Sequence, residues 1–392
     1  MSIYLDHASY SPLRAVARDA WLSATDVVGN ASSVHGAGQQ ARRLLEESRE
    51  AVGAALRCEP IEVVFTSGGT ESVNLAVKGL WWSRDGGVDA VVLPDGEHHA
   101  TMDTVAWLAQ AESARVRPVP LDRQGRIDPA LFAEALPGAA LATALIANNE
   151  VGTLQDATAL SAAAADASVP LHLDAVSALG HIPVDFAGWR AGGAGTGGLV
   201  ALSISGHKIG APVGTGALVV SRHAALTAGL HGGGQQRGLR SGTPDVPGAA
   251  ALAAAATEAV AEQAAEQARL IALRTRLIAG VRAAVPAAEL LGDPDDRLPG
   301  NVHLHFPGAA GESLLFLLDQ AGISVSTGSA CQAGVAEPSH VVMALGRDER
   351  VARSVLRITL GRTTVPADVD AIVAALPEAY ARASGFRTVA RS

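Results

Sequence analysis

Val200-Ala201-Leu202-Ser203-Ile204-Ser205-Gly206-His207-Lys208 is the stretch that decides the fold of this chain. Its short, almost continuously apolar start predicts a strand buried on both faces. Small residues follow, then His207-Lys208, then the turn Ile209-Gly210-Ala211-Pro212. Lys208 is therefore expected just past the C-terminal end of a buried strand, where open parallel sheets bind ligands. Working outward, similar runs recur at Ile61–Phe65, Ala90–Leu93, Arg115–Pro118, Leu141–Ala147, Leu171–Leu173 and Gly216–Val220. Helical patterns lie among them at Gln39–Leu56, Glu71–Trp82 and Thr158–Ala167; in the first, Ala41, Leu44, Leu45 and Val52 recur at helical spacing. The alternation predicts an α/β fold with a mostly parallel seven-stranded sheet under a cover of helices.

After Thr243 the pattern changes. An Ala-rich helix is expected from about Val246 to Val285, ended near Pro286. Extended segments (Gly300–His305, Arg357–Thr359) and two helices (Gly311–Asp319, Pro366–Ala383) follow, as in a smaller α+β unit. The expected division is a large domain over 16–248 and a small one built from 1–15 and 249–392. Gly192–Gly198 reads as a flexible glycine-rich insert; without a lysine or the matching spacing it is no phosphate loop.

Thirty Lys+Arg against 39 Asp+Glu leave a formal charge of -9, which argues against a nucleic-acid or anionic-membrane surface. The apolar stretch Gly248–Ala256 is too short to span a bilayer and soon meets Glu258, Glu262 and Glu266. The first residues lack the basic and apolar regions of a signal peptide. Two dissimilar cysteines make no disulfide framework. A cytoplasmic protein is expected, with no metal site.

Four elements carry chemistry. Lys208, one of only two lysines, could form a Schiff base with an aldehyde cofactor. Thr66-Ser67-Gly68-Gly69-Thr70-Glu71-Ser72 opens a helix with glycines that let backbone N–H groups approach a phosphate. Asp174 ends a buried strand, where a carboxylate can pair with a pyridine nitrogen. Glu97-His98-His99 follows another strand and offers an imidazole for ring stacking. Each is modest alone, since most lysines and loop histidines are ordinary surface residues. Their shared placement at strand ends matches the needs of pyridoxal phosphate: a phosphate cradle, a ring stack, an acid for the ring nitrogen and a lysine. Cys331 is a further candidate. Its neighbours, Ser326-Thr327-Gly328-Ser329-Ala330 and Gln332-Ala333-Gly334, are small and polar, as in a mobile loop that exposes a thiol. Cys58, at the end of a helical run, reads as an inert hydrophobe.

These residues carry a family resemblance that runs nearly end to end. Ile3–Ala8, Gly29–His35, Thr66–Glu71, Asn148–Gly152, Ser205–Lys208, His231–Gly234, Arg240–Thr243, Gly328–Cys331 and Arg357–Arg362 resemble the motifs of cysteine desulfurases of the NifS/IscS kind. That family belongs to the class V aminotransferases of the pyridoxal-phosphate-dependent fold type I. The resemblance implies Lys208 as the cofactor's covalent anchor, Asp174 on its ring nitrogen and His98 as the stacking ring. It implies Gly69, Thr70, Ser205 and His207 around the phosphate and Asn149 beside the ring oxygen. Ser177 stands where the family usually has a glutamine that bonds the ring hydroxyl. Thr243 would contact the phosphate of a neighbouring subunit, which implies a homodimer. Arg357 and Asn30 would bind the carboxylate of L-cysteine, and Cys331 would carry the removed sulfur as a persulfide. The segment Ala336–His340 resembles the subgroup that passes sulfur to an acceptor protein, such as an iron–sulfur scaffold or a tRNA-thiolation enzyme. The alternative within the same chemistry is a related lyase or aminotransferase, such as a selenocysteine lyase. A non-catalytic binding protein fits poorly with Lys208, Asp174, His98 and Cys331 together.

Overall fold

Short runs rich in Ala, Val and Leu build one large sheet here, since its inner strands are buried on both faces. A computed structural model of the chain describes residues 2–190, 195–328, 331–332 and 335–385, with the backbone alone at 331, 332, 335 and 336. The chain opens with β1 (Ile3–Tyr4). The sheet is made of β2 (Val63–Thr66), β3 (Ala90–Pro94), β4 (Arg115–Val119), β5 (Ala139–Leu145), β6 (Pro170–Asp174), β7 (Gly198–Ser205) and β8 (Gly216–Val220). Its order is β2-β8-β7-β6-β5-β3-β4. The strands from β7 to β4 run parallel, and β8 lies antiparallel to both β7 and β2. All residues of β5, β7 and β8 are buried. The edge strand β4 is largely exposed and carries Arg115 and Arg117, charges that discourage further pairing. The strand expected from Ile61 starts at Val63 instead, because Pro60–Glu62 form a 3₁₀ turn in which Glu59 N donates to Glu62 Oε2 at 3.1 Å.

The helices α1 (Ala15–Thr25), α2 (Gly36–Leu56), α3 (Gly69–Trp82), α4 (His99–Glu112), α5 (Pro129–Ala135), α6 (Ala157–Asp166) and α7 (Phe186–Trp189) accompany the sheet. The long α8 (Val246–Ala284) joins two cores. Its first half places Ala249, Leu252, Ala256 and Ala259 in the core around the sheet. Its second half places Leu270, Leu273, Leu277 and Val281 in another core with Leu5, Val302, Leu356 and Ile372.

The rest of the chain forms β9 (Glu289–Leu290), β10 (Asn301–His305), α9 (Gly311–Gln320), β11 (Ile323–Ser324), β12 (Cys331–Gln332), β13 (Val335–Ala336), α10 (His340–Ala344), α11 (Glu349–Ala352), β14 (Val355–Thr359) and α12 (Pro366–Ala383). Of these, β10, α9, β11, β14 and α12 line the second core, while α10 and α11 pack in a smaller cluster with Val151 and Leu291. β14, β10 and β9 form an antiparallel sheet. β1 pairs with β11 in parallel, so the N-terminal residues are stitched to a segment more than three hundred residues away. The glycine-rich insert lies partly outside the described residues.

Chain order explains where a site forms. β3 leads outward to β4, whereas β5, β6 and β7 proceed the other way. The reversal between β3 and β5 opens a crevice at the C-terminal strand ends, the general ligand position in such sheets.

Candidate active site

The loops after β3, β5, β6 and β7 converge on a cleft of about 360 Å³. Of the thirteen residues singled out from sequence, ten line it: Gly69, Thr70, His98, Asn149, Asp174, Ser177, Ser205, His207, Lys208 and Arg357. Asn30 and Thr243 do not reach it. Both are exposed, and Asn30 Oδ1 accepts from Ser32 N at 2.9 Å. The Cys331 side chain lies outside the described residues; its backbone pairs with Ala336 in the β12–β13 ladder, and Ser326 and Gly328, just before it, line the cleft.

Lys208 is delivered by the 3₁₀ turn Gly206–Lys208 directly after β7. Gly206 is needed there, since a Cβ would come within 2.2 Å of Thr215 Oγ1. The Lys208 ammonium donates to Ala8 O at 2.5 Å and Ser9 O at 3.0 Å. Burial, reinforced by the nearby Arg357 cation, pushes the amine from 10.5 down to about 8. Across the cleft, Asp174 ends β6, and one oxygen accepts from Val176 N at 2.8 Å. Burial raises this carboxyl to about 6, against the pull of Val176 N–H and Lys208. A buried acid held this way gains from a cationic partner.

His98 caps the N-terminus of α4, its Nδ1 accepting from Ala100 N at 3.0 Å. A ring nitrogen that accepts is unprotonated, so the proton sits on Nε2. Burial, with Lys208 beside it, pushes this imidazole down to about 4, and the ring is neutral near pH 7.

The anion cradle is built from backbone. Gly68, at φ 148°, precedes α3 and supplies no side-chain cap to its first turn. A Cβ on Gly216 would lie 2.5 Å from Gly68 Cα, and one on Gly69 would lie 2.8 Å from Val176 Cγ2. These close contacts hold the glycine cradle against β8 and Val176, and no side chain among the described residues caps the helix it opens. Ser205 Oγ and His207 Nδ1 are 2.9 Å apart at the cradle's rim. Burial lowers His207 to about 4, again with Lys208 contributing. A phosphate would cap α3 and satisfy this rim. With the buried acid, the flat neutral imidazole and the lysine, the residues fit pyridoxal phosphate.

The structure adds residues that sequence reasoning missed. Glu97 is buried, with Oε1 accepting from Leu145 N at 2.8 Å and Oε2 without a partner among the described residues. Burial raises its carboxyl to about 8. Its carbonyl accepts from His340 Nε2 at 2.8 Å, and the His340 ring stands edge-on to His99 at 4.9 Å. The loop Asn148–Gly152 is strapped through four successive carbonyls. Asn149 O accepts from Arg357 Nη1 at 3.0 Å, Glu150 O from Asn301 Nδ2 at 3.0 Å, Val151 O from Arg297 Nη2 at 2.7 Å and Gly152 O from Leu298 N at 2.8 Å. Glu150 Oε2 also accepts from Ser339 Oγ at 2.5 Å. The N-terminal segment contributes as well: Ala8 and Ser9 line the cleft, and Asp6 pairs with Arg357 at 2.9 Å. The motif Glu97-His98-His99 held a signal for Glu97; Asp6 and His340 lie in segments the sequence had marked, but their contacts, across 351 and 243 positions, left none. Cys58 is half-buried, and burial pushes its thiol up to about 12, which keeps it unreactive.

The family model described as aminotransferase class-V matches residues 3–372. An IscS-like cysteine desulfurase of Mycobacterium tuberculosis is 46% identical over 390 residues, covering 97% of this chain and 96% of that protein. A cysteine desulfurase IscS of Methanosarcina thermophila is 36% identical over 379 residues, covering 96% and 91%. Among solved structures, a NifS-like protein superposes with a TM-score of 0.88 at 28% identity, covering 96% of this chain and 99% of that one.

Proposed function

Since this chain belongs to the class-V aminotransferase family, we propose that it is a pyridoxal-phosphate-dependent cysteine desulfurase. It converts L-cysteine to L-alanine and passes the sulfur through a persulfide on Cys331 to an acceptor. The observation that carries this reading is one cleft shared by Lys208, Asp174, His98 and Arg357, from whose wall the segment bearing Cys331 departs. Pyridoxal phosphate, when bound, supplies an electron sink for the carbon next to a substrate amine.

The protein's own residues do the rest. Gly69, Thr70, Ser205 and His207 would hold the phosphate, Asp174 would pair with the ring nitrogen, and the neutral ring of His98 would stack on the cofactor. Asn149 and Ser177 would serve the ring oxygen. Lys208, its amine already lowered to about 8, can exist neutral near physiological pH and accept a proton at Nζ. Arg357 receives the substrate carboxylate. The Cys331 thiolate attacks the substrate sulfur: an S–S bond forms, the C–S bond breaks, and its electron pair stays on carbon, which is protonated to give alanine.

Thr243, exposed on a single chain, is read as completing the site across a homodimer. A thiol that must stay free suits the reducing cytoplasm. The acceptor is read as a protein, such as an iron–sulfur scaffold or a tRNA-thiolation enzyme. Incubation with L-cysteine followed by mass spectrometry should show Cys331 heavier by one sulfur atom. Cys331→Ser should form no persulfide while keeping the cofactor's visible absorbance. Undiminished sulfide release from that variant would sink the reading.

A further inference from the structure

Arg357 is the residue read as taking the substrate carboxylate, yet its guanidinium is already occupied. An arginine has five N–H donors in a rigid fork. Both donors of Nη2 are committed, to Asp6 Oδ1 at 2.9 Å and to Ser9 Oγ at 3.0 Å. One donor of Nη1 goes to Asn149 O at 3.0 Å. Nε–H is buried with no partner among the described residues. Nη2 shares one edge of the fork with Nε and the other with Nη1. Neither edge therefore has both donors free. A carboxylate binds arginine best through two parallel bonds, so Nη2 must first release a present partner. Of its two partners, Asp6 is the ligand's own kind: a carboxylate on the nitrogen that the ligand needs.

We propose that Asp6 is a stand-in for the substrate carboxylate, holding Arg357 until the substrate arrives and then yielding Nη2. The proposal rests on the reading of Arg357 as the carboxylate site. Asp6 is held for such a role. Its backbone bridges to Thr359, two residues beyond Arg357 on β14, and its carbonyl accepts from Tyr4 Oη at 2.9 Å. The same short segment grips Lys208 through Ala8 O and Ser9 O. Ser9 and the Asn149 carbonyl keep Arg357 in place while one carboxylate replaces another. The Asp6–Arg357 pair is mostly buried, with side-chain exposures of 19% and 5%, so water does little to screen the exchange. Asp6 thereby lowers the affinity for an entering carboxylate, which must compete for Nη2, and leaves that for a neutral amide unchanged.

The test uses 3-mercaptopropionate, which carries the thiol and carboxylate of cysteine but no amine, and its neutral analogue 3-mercaptopropionamide. Calorimetry on the cofactor-loaded protein compares wild type with Asp6→Asn, which keeps the shape and loses the charge. The variant should bind the acid about threefold to tenfold more tightly and bind the amide as wild type does. Equal or weaker binding of the acid by the variant overturns the proposal. Arg357→Met should lose the preference for acid over amide. If that preference survives, it is the reading of Arg357 that fails, and the role of Asp6 with it. Should Asp6→Asn not fold, a wild-type crystal structure with 3-mercaptopropionate decides. Separation of Asp6 Oδ1 from Nη2 beyond hydrogen-bond distance supports the exchange, and an intact contact refutes it.

Discussion

Lys208 offers a direct measurement, because the chain has only one other lysine, Lys78. In the cofactor-free protein, burial first and the Arg357 charge second bring its amine from 10.5 to about 8. At pH 7.5 roughly a quarter of such an amine is neutral, against about one part in a thousand for an ordinary lysine. The same drop corresponds to about 3 kcal/mol disfavouring the buried ammonium. The sign for stability follows from proton counts. Between pH 8 and 10.5 the unfolded chain binds the proton and the folded one does not, so stability rises with pH across that window. Below pH 8 the folded state carries the full cost, and above 10.5 none of it. Reductive methylation with ¹³C-formaldehyde gives two dimethyl-lysine resonances, and Lys78→Arg assigns them. The Lys208 resonance should titrate with a midpoint near 8. Arg357→Met should move the midpoint upward, since it removes a repelling cation and leaves the attracting Asp6 carboxylate in place. A wild-type midpoint at or above 10.5, or a downward move in the variant, would refute the reasoning.

Two further outcomes are expected. Glu97, raised by burial from 4.5 to about 8, costs the folded protein stability as pH climbs through that range, because only the unfolded chain ionises there. Thermal melts of Glu97→Gln, relative to wild type, should therefore improve from pH 5 to pH 8, by at most about 4 kcal/mol; an unchanged difference would show that Glu97 ionises normally. Gly206→Ala puts a methyl 2.2 Å from Thr215 Oγ1 and 3.0 Å from Thr215 O, so the turn carrying Lys208 must shift. Reconstitution with pyridoxal phosphate should then yield a visible band at least about tenfold weaker, read by absorbance, and a full band would show that the turn has slack.

The strand-end residues were legible for a local reason. In a parallel sheet, a buried strand is a short apolar run, and the residue just past it must emerge at the ligand edge. Asp174, Lys208, His98 and Asn149 all follow such runs, and all four line the cleft. Boundaries were less legible where local chemistry competed, as at Ile61, which the turn Pro60–Glu62 removes from β2. Asn30 and Thr243 show the opposite limit: their family motifs stand out in the sequence, yet a single folded chain leaves both exposed.

By itself, the sequence determined the α/β class, the lysine at the end of β7, the acid at the end of β6 and the glycine-built cradle, because each depends on neighbours a few residues away. Only the tertiary structure decided what those groups face. Arg357 meets Asp6 across 351 positions, and Lys208 meets Ala8 across 200. These contacts, with the burial of Glu97, Asp174 and Lys208, set which groups hold protons and which nitrogen a ligand must win. Charge states in a buried cleft depend on distance and desolvation, and neither can be read along the chain.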